Sequence, residues 1–381
     1  MTVRVEVEAS MLTWAMERSR RDHDELIRRF PKLPEWERGD RHPTLKQLED
    51  FARATRTPLG YLLLPEPPDE EVPLPDFRTV RDTAVLRASP DLLDTIALCQ
   101  ERQDWYRAFA RRAGAPALAF IGSVTTAVPG AGVADRIREA VDFGLDTRRE
   151  HPSWSDALRA LVRSVEDAGV LVMNSGIVGS NTRRKLDPDE FRGFALVDDL
   201  APVVFINGAD SKAAQIFTLA HELAHLWLGQ SALDNPRLGQ RPDDVTERWC
   251  NEVAAELLVP SDTLREQFDD RAPLLDEADR LARLYRVSTL VVLHSLYDAR
   301  LVTWEAFTLA YNDALDQIGE VQTAGGGDFY RTQPVRVSRR FAQAVVSSTL
   351  EGDTLYRDAF RLLGFRKHET FEQLSERLGA S

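Results

Sequence analysis

The stretch Phe217-Thr218-Leu219-Ala220-His221-Glu222-Leu223-Ala224-His225-Leu226-Trp227-Leu228-Gly229 decides how the rest of the chain is read. It is apolar apart from Thr218, His221, Glu222 and His225, and it reads as a helix that Asp210 or Ser211 can cap. His221 and His225 are spaced i, i+4, so both imidazoles lie on one helix face, where they can share one ion. Glu222 projects beside them, within reach of a water on that ion. Two histidines and a glutamate on an apolar helix need a reason, because burying them unpaired is costly. The competing reading is a structural pair of buried histidines satisfied by backbone groups.

The triplet is the H-E-x-x-H arrangement of zinc peptidases. Two histidines leave a tetrahedral ion short of a protein ligand, since a catalytic zinc takes three and keeps water in the fourth position. The following helix, Glu247-Arg248-Trp249-Cys250-Asn251-Glu252-Val253-Ala254-Ala255-Glu256-Leu257-Leu258-Val259-Pro260, offers Glu247, Glu252 and Glu256. Glu247 is preferred, because the chain from His225 leaves room for a turn and a return helix. Asn251 lies one turn beyond it on the same face, placed to hydrogen-bond the second nitrogen of a ligand histidine. Glu256, flanked by Ala and Leu, can instead satisfy a buried partner.

Upstream, Gly169–Met173, Phe194–Val197 and Val203–Ile206 read as strands, the last two joined by a tight turn at Asp198–Pro202. They make a small, mostly antiparallel sheet packed on helices carrying Ile137, Ala140 and Val141, then Leu158, Leu161, Val162 and Val165. Strand 203–206 leads into the His221 helix and is a candidate edge for a substrate strand.

Farther out, three zones punctuate the chain. Pro65–Pro75 is dense in proline and acid and reads as an extended linker. Gly114–Gly132 is rich in Ala, Gly and Pro, and Gly325–Gly327 reads as a flexible loop. Residues 78–112 read as a helical connector. Residues 9–65 read as short helices around Leu12, Ala15, Met16, Leu26, Ile27 and Phe30. There, Trp36-Glu37-Arg38-Gly39-Asp40-Arg41-His42-Pro43-Thr44 before a helix resembles an XRE-type helix-turn-helix domain. Only Pro31–Pro34 separates the second helix from Trp36, so the groove-reading helix looks truncated, and a protein-docking module competes with DNA reading. After Pro260, residues 281–296 have a helix-turn-helix cadence, and a helical cap on the core is the competing reading. Tyr285, His294, Tyr297 and Tyr311 are the candidates for a second oxyanion stabiliser, and a core or surface place is the preferred reading for each. Arg336, Arg339 and Arg340 can meet phosphate or an acidic partner, or simply line a solvated helix face.

The expected fold class is therefore α+β, mostly helical. A helix-turn-helix-like bundle at 1–65 is followed by a linker and helical connector at 66–125. A zincin-like metallopeptidase domain at 126–268 combines the small sheet with the HExxH helix, and a helical C-terminal region runs over 269–381.

Composition narrows the function classes. The chain has 381 residues, 43% apolar and 29% charged, an ordinary globular balance. No run of about 18 apolar residues marks a transmembrane helix, and the N-terminus carries no apolar signal core. Two cysteines exclude a disulfide framework and a cysteine-built zinc site, and a reducing cytoplasm is the expected compartment. The net charge of −13, from 48 basic and 61 acidic residues, argues against a whole-chain grip on nucleic acid. Residues 1–65 escape that acidity, with 12 Lys and Arg against 11 Asp and Glu.

Residues of about 160–300 resemble the ImmA/IrrE family of metallopeptidases. The family run F-T-L-A-H-E-L-x-H matches Phe217–His225, and E-x-x-A-N-x-F-A-A-E-L-L-x-P matches Glu247–Pro260, with Cys250 and Val253 replacing the usual Ala and Phe. Phe191–Leu196 and Ala201–Val203 also fit, and an N-terminal XRE-type domain is common in the family. The resemblance implies that His221, His225 and Glu247 bind Zn2+ and that Glu222 is the general base of an endopeptidase. It also implies a protein substrate of repressor or antitoxin type, in stress-response or mobile-element regulation. The competing function is a non-enzymatic regulator that binds DNA or protein through the N-terminal module.

Overall fold

The structure is a computed structural model that describes residues 4–75, 88–145, 148, 151–234, 244–319 and 329–379. By internal packing the chain divides into two units. One comprises residues 1–73 and 80–96, the other residues 74–79 and 97–381.

The first unit is helical: α1 (Ala9–Ser19), α2 (His23–Arg29), α3 (Leu33–Glu37), α4 (Leu45–Thr55) and a 3-10 turn at Tyr61–Leu63. Asp22 caps α2, and Thr44 with Gln47 forms a reciprocal capping box on α4. Met11, Leu12, Leu26, Leu33, Leu48 and Phe51 are its buried centre. The rings of Phe30 and Trp36 meet Phe51 edge-on, with centroids 5.6 and 6.4 Å away. α3 has only five residues, with Pro34 in its first turn, the shortening that Pro31 and Pro34 predict. Of the acidic segment after α4, Glu70 pairs with the guanidinium of the buried Arg18.

The division between the units falls within α5 (Pro90–Arg112). The part of the expected 78–112 connector that covers 78–87 lies outside the described residues, as does the expected loop at Gly325–Gly327.

The second unit continues with α6 (Gly130–Val141), α7 (Trp154–Asp167), β1 (Leu171–Ser175), β2 (Gly193–Leu196), β3 (Val203–Asn207), α8 (Lys212–Leu228), β4 (Ala232–Asp234) and α9 (Val245–Leu258). The sheet order is β1-β3-β2-β4, with β1 parallel to β3 and the pairs β3–β2 and β2–β4 antiparallel. This mixed sheet within a mostly helical chain is an α+β layout. Strands β2 and β3 are buried along their whole length, which is why they read as unbroken apolar runs rather than alternating ones. Phe194 and Phe205 are register partners and stack at 5.0 Å.

The strand expected to offer an edge at 203–206 is not at the edge of the sheet. β3 is an inner strand, hydrogen-bonded to β1 on one side and β2 on the other, so it offers no edge to a peptide. The outer strands are β1 and β4.

α8 packs on β2 and β3, and α9 packs on α8 and α6. From α5, Gln103 donates to Leu196 O and Ala201 O at 3.0 Å each, anchoring the β2–β3 turn. The chain then runs through α10 (Ser261–Gln267), α11 (Leu274–Tyr285), α12 (Thr289–Asp298) and α13 (Trp304–Gly319). The buried residues of α11 and α12 belong to the same core as α8 and α9. The C-terminal helices are α14 (Phe329–Val337), α15 (Arg339–Leu350), α16 (Tyr356–Leu363) and α17 (His368–Leu378), of which α14 and α15 pack against β1. Among the described residues no helix is long and apolar enough to cross a membrane.

Candidate metal centre

The centre is built by two helices whose ends the sequence fixes. Ser211 caps α8, its hydroxyl accepting from Ala214 N at 3.2 Å. Gly229 ends it in the left-handed region at φ +71°. A side chain at 229 would also stand 2.8 Å from Gly122 Cα, so this position needs glycine twice over. Asp244 caps α9, accepting from Thr246 N at 2.7 Å and Glu247 N at 3.1 Å. That cap puts Glu247 in the first turn, where the helix dipole favours a negative charge.

His221, Glu222 and His225 are fully buried on α8, and Glu247 is 5% exposed. The two histidine Nε2 atoms lie 3.1 Å apart. Glu247 Oε2 is 3.3 Å from His221 Nε2, and Oε1 is 3.2 Å from His225 Nε2. The three side chains offer donor atoms that all lie within 4.8 Å of one another, the one such cluster among the described residues. Asn251 Oδ1 sits 3.0 Å from His221 Nδ1. Accepting from Nδ1–H would leave the Nε2 lone pair of His221 aimed at His225 and Glu247.

This donor set fits a small divalent cation. Two imidazole nitrogens and a carboxylate face each other across one hydrogen-bond distance in a buried place, and Glu247 Oε1 has no hydrogen bond there. A cation between them turns mutual lone-pair repulsion into attraction. Cys250, one residue before Asn251, does not add a thiolate. It is not among the clustered donor atoms, and burial pushes its thiol up, against the opposing pull of His225.

The other acidic residues of α9 are engaged elsewhere. Glu252 Oε1 accepts from Gly130 N at the start of α6, at 3.2 Å. Glu256 accepts from Ser261 N at the start of α10, at 3.1 and 3.2 Å. Of the three carboxylates that sequence spacing offers, the structure brings only Glu247 to the histidine pair. Tyr297 and Tyr311 pack around Phe307, with ring centroids 5.2 and 5.4 Å away, and His294 faces Asp298 at 3.0 Å.

Gly193 is the residue whose role sequence reading passed over. A Cβ there would lie 2.5 Å from Thr218 Cγ2, 2.8 Å from Glu222 Oε1 and 2.9 Å from Phe205 O. α8 therefore lies directly against the β2 backbone, and the Glu222 carboxylate rests on the bare Cα of Gly193. A glycine inside a strand pattern is the available signal for such a close approach. β4 was also missed, being only three residues long.

A family profile described as the IrrE N-terminal-like domain matches residues 165–297. A second, described as a domain of unknown function, matches residues 337–377. The chain is 33% identical over 99 residues to the radiation response metalloprotease IrrE of Deinococcus radiodurans, a stretch that is 25% of this chain and 30% of that protein. It is 35% identical over 99 residues to the radiation response metalloprotease IrrE of Deinococcus deserti, covering 25% of this chain and 35% of that protein. The chain thus spans about a third of the length of these curated relatives.

Proposed function

We propose that residues 165–297, which match the IrrE N-terminal-like profile, are a metallopeptidase domain of the ImmA/IrrE family, and that this chain is a zinc-dependent endopeptidase. It hydrolyses a peptide bond in a regulatory protein of repressor or antitoxin type, within a cytoplasmic stress-response or mobile-element circuit. One observation carries the reading: the convergence of His221, His225 and Glu247 on one buried point beside Glu222.

In this reading His221, His225 and Glu247 hold the ion in a zincin-like domain of the H-E-x-x-H plus glutamate type. Zinc, when bound, supplies Lewis-acid polarisation of the scissile carbonyl and acidifies water toward neutral pH. Glu222 accepts a proton from the attacking water and passes it to the leaving amine nitrogen. Gly193 leaves room for that carboxylate. Asn251 fixes the tautomer and orientation of His221. The apolar walls of α8 and α9 exclude water and strengthen each of these interactions.

We read residues 1–65 as an XRE-like module that brings the peptidase to its target, with 66–125 as linker and connector, 126–268 as the peptidase domain and 269–381 as a helical C-terminal region. The five-residue α3 supports protein docking over reading of a DNA groove.

The test compares wild-type chain with Glu222→Gln expressed in the native host, mapping new protein N-termini. The expected result is a small set of new termini in one regulatory protein with wild type and none with Glu222→Gln. The same termini in both strains, or none in either, would contradict endopeptidase function.

A further inference from the structure

The two helices that carry the candidate metal ligands are fastened to each other by a third piece of chain. It runs over residues 120–130, upstream of the residues that match the IrrE profile. At one end it holds α8. Gly122 N donates to Leu226 O at 3.1 Å, and Val124 N donates to Trp227 O at 3.2 Å. Both carbonyls lie in the last turn of α8, where intrahelical donors run out. The Phe120 ring stacks on Trp227 at 4.3 Å. At the other end the segment holds α9. Trp249 Nε1 donates to Val128 O at 2.7 Å, and Glu252 Oε1 accepts from Gly130 N at 3.2 Å. Leu226 directly follows His225, and Trp249 stands two residues after Glu247. Each attachment therefore falls beside one of the ligands.

We propose that residues 120–130 are a positioning strap for the metal centre, with Trp249 as its anchor on α9, and that it sets how Glu247 stands to His225. This rests on the metallopeptidase reading and adds to it residues outside the matched profile. α8 and α9 also pack directly on each other. Packing of apolar faces is not directional, whereas a metal site must be held to within about 0.5 Å. Hydrogen bonds are directional, so the strap fixes the slide and rotation that packing leaves open. Trp249 is 6% exposed, and its indole N–H finds in Val128 O the partner that a buried indole needs. The strap is itself held. It passes straight into α6, which packs along α9.

The test uses the full-length protein and three variants. Trp249→Phe keeps a ring and removes the N–H that reaches Val128. Glu252→Ala removes the acceptor for Gly130 and carries the same test should Trp249→Phe not fold. Glu256→Ala is the control, because Glu256 fastens α9 to the start of α10 and not to the strap. Zinc affinity is read by competition with a chelator, and the geometry of the centre by the visible absorption of Co2+ in place of zinc. Melting of the metal-free proteins reads stability. Trp249→Phe should bind zinc about 3–10-fold more weakly, the worth of one modest hydrogen bond, and shift the Co2+ bands. Glu256→Ala should lose stability but keep wild-type affinity and bands. Lowered stability with wild-type zinc affinity and Co2+ bands in Trp249→Phe would overturn the proposal, and so would an equal loss of affinity in Glu256→Ala. If the wild-type protein binds neither zinc nor Co2+, the metal reading itself fails, whatever the variants show.

Discussion

Asn251 Oδ1 lies 3.0 Å from His221 Nδ1, joining two buried side chains thirty residues apart on adjacent helices. The contact selects the tautomer in which His221 Nε2 is a bare lone pair directed at His225 Nε2 and Glu247. Asn251→Ala should therefore weaken metal binding about 10–100-fold, the usual effect of removing such an outer hydrogen bond. Competition against a chromogenic chelator measures it. Asn251→Asp, which keeps an acceptor at the same place, should retain most of the affinity. Wild-type affinity in Asn251→Ala would show that the contact does not prepare the histidine.

Gly193→Ala tests the contact between β2 and α8. The added methyl would meet Thr218, Glu222 and the Phe205 carbonyl, all well inside contact distance. Because a strand and a packed helix must separate to admit it, the expected cost is about 1–3 kcal/mol of stability. Pairing it with Thr218→Ser, which removes the closest of the three atoms, should restore part of that loss. Thermal melting of the single and double variants checks both statements. An unchanged melting temperature in Gly193→Ala would mean that helix and strand do not lie this close.

Glu166 gives the second unit a pH dependence of predictable sign. It is buried on α7, where its carboxylate accepts from Ser338 Oγ, and Arg340 Nη1 donates to its main-chain oxygen at 3.1 Å. Burial pushes the carboxyl up to about 6, against the opposing hydrogen bond from Ser338. The folded state thus holds this proton more tightly than the unfolded chain does. The stability that this proton brings is fully present below the unfolded value of 4.5 and is lost as pH rises through about 6. The span corresponds to about 2 kcal/mol. Glu166→Gln should remove this component, so its stability gain over wild type should be larger at pH 7.5 than at pH 5. Denaturant midpoints at the two pH values decide it. A constant difference between the proteins would contradict the account.

The legible parts of this chain are those where short-range pattern and packing agree. The His221–His225 helix could be read because spacing, apolar neighbours and the Ser211 cap all point the same way. The β2–β3 hairpin could be read because two apolar runs flank Asp198–Pro202. Strand order could not be read. It depends on pairing Leu171 directly with Val203, with β2 intervening only in sequence, and local sequence carries no mark of it. That is why β3 looked like an edge. β4 is too short to show a period, and its place beside β2 follows from where α8 ends. Spacing prefers Glu247 over Glu252 and Glu256 without excluding them. Geometry separates them, because Gly130 and Ser261 claim the other two. Arg340 shows the opposite limit. It reads as a surface cation, yet it donates to Tyr106 Oη at 2.8 Å and to Glu166 O, partners more than 170 residues away in sequence.

The central claim is that His221, His225 and Glu247 form one metal centre with Glu222 as a chemical group rather than a ligand. The direct measurement is the metal content of purified wild-type protein beside His225→Ala, Glu247→Gln and Glu222→Gln, after zinc is supplied and excess removed. The account predicts about one zinc per chain in wild type and in Glu222→Gln, with loss from the other two. No metal in wild type, or metal kept in Glu247→Gln and lost in Glu222→Gln, would contradict it.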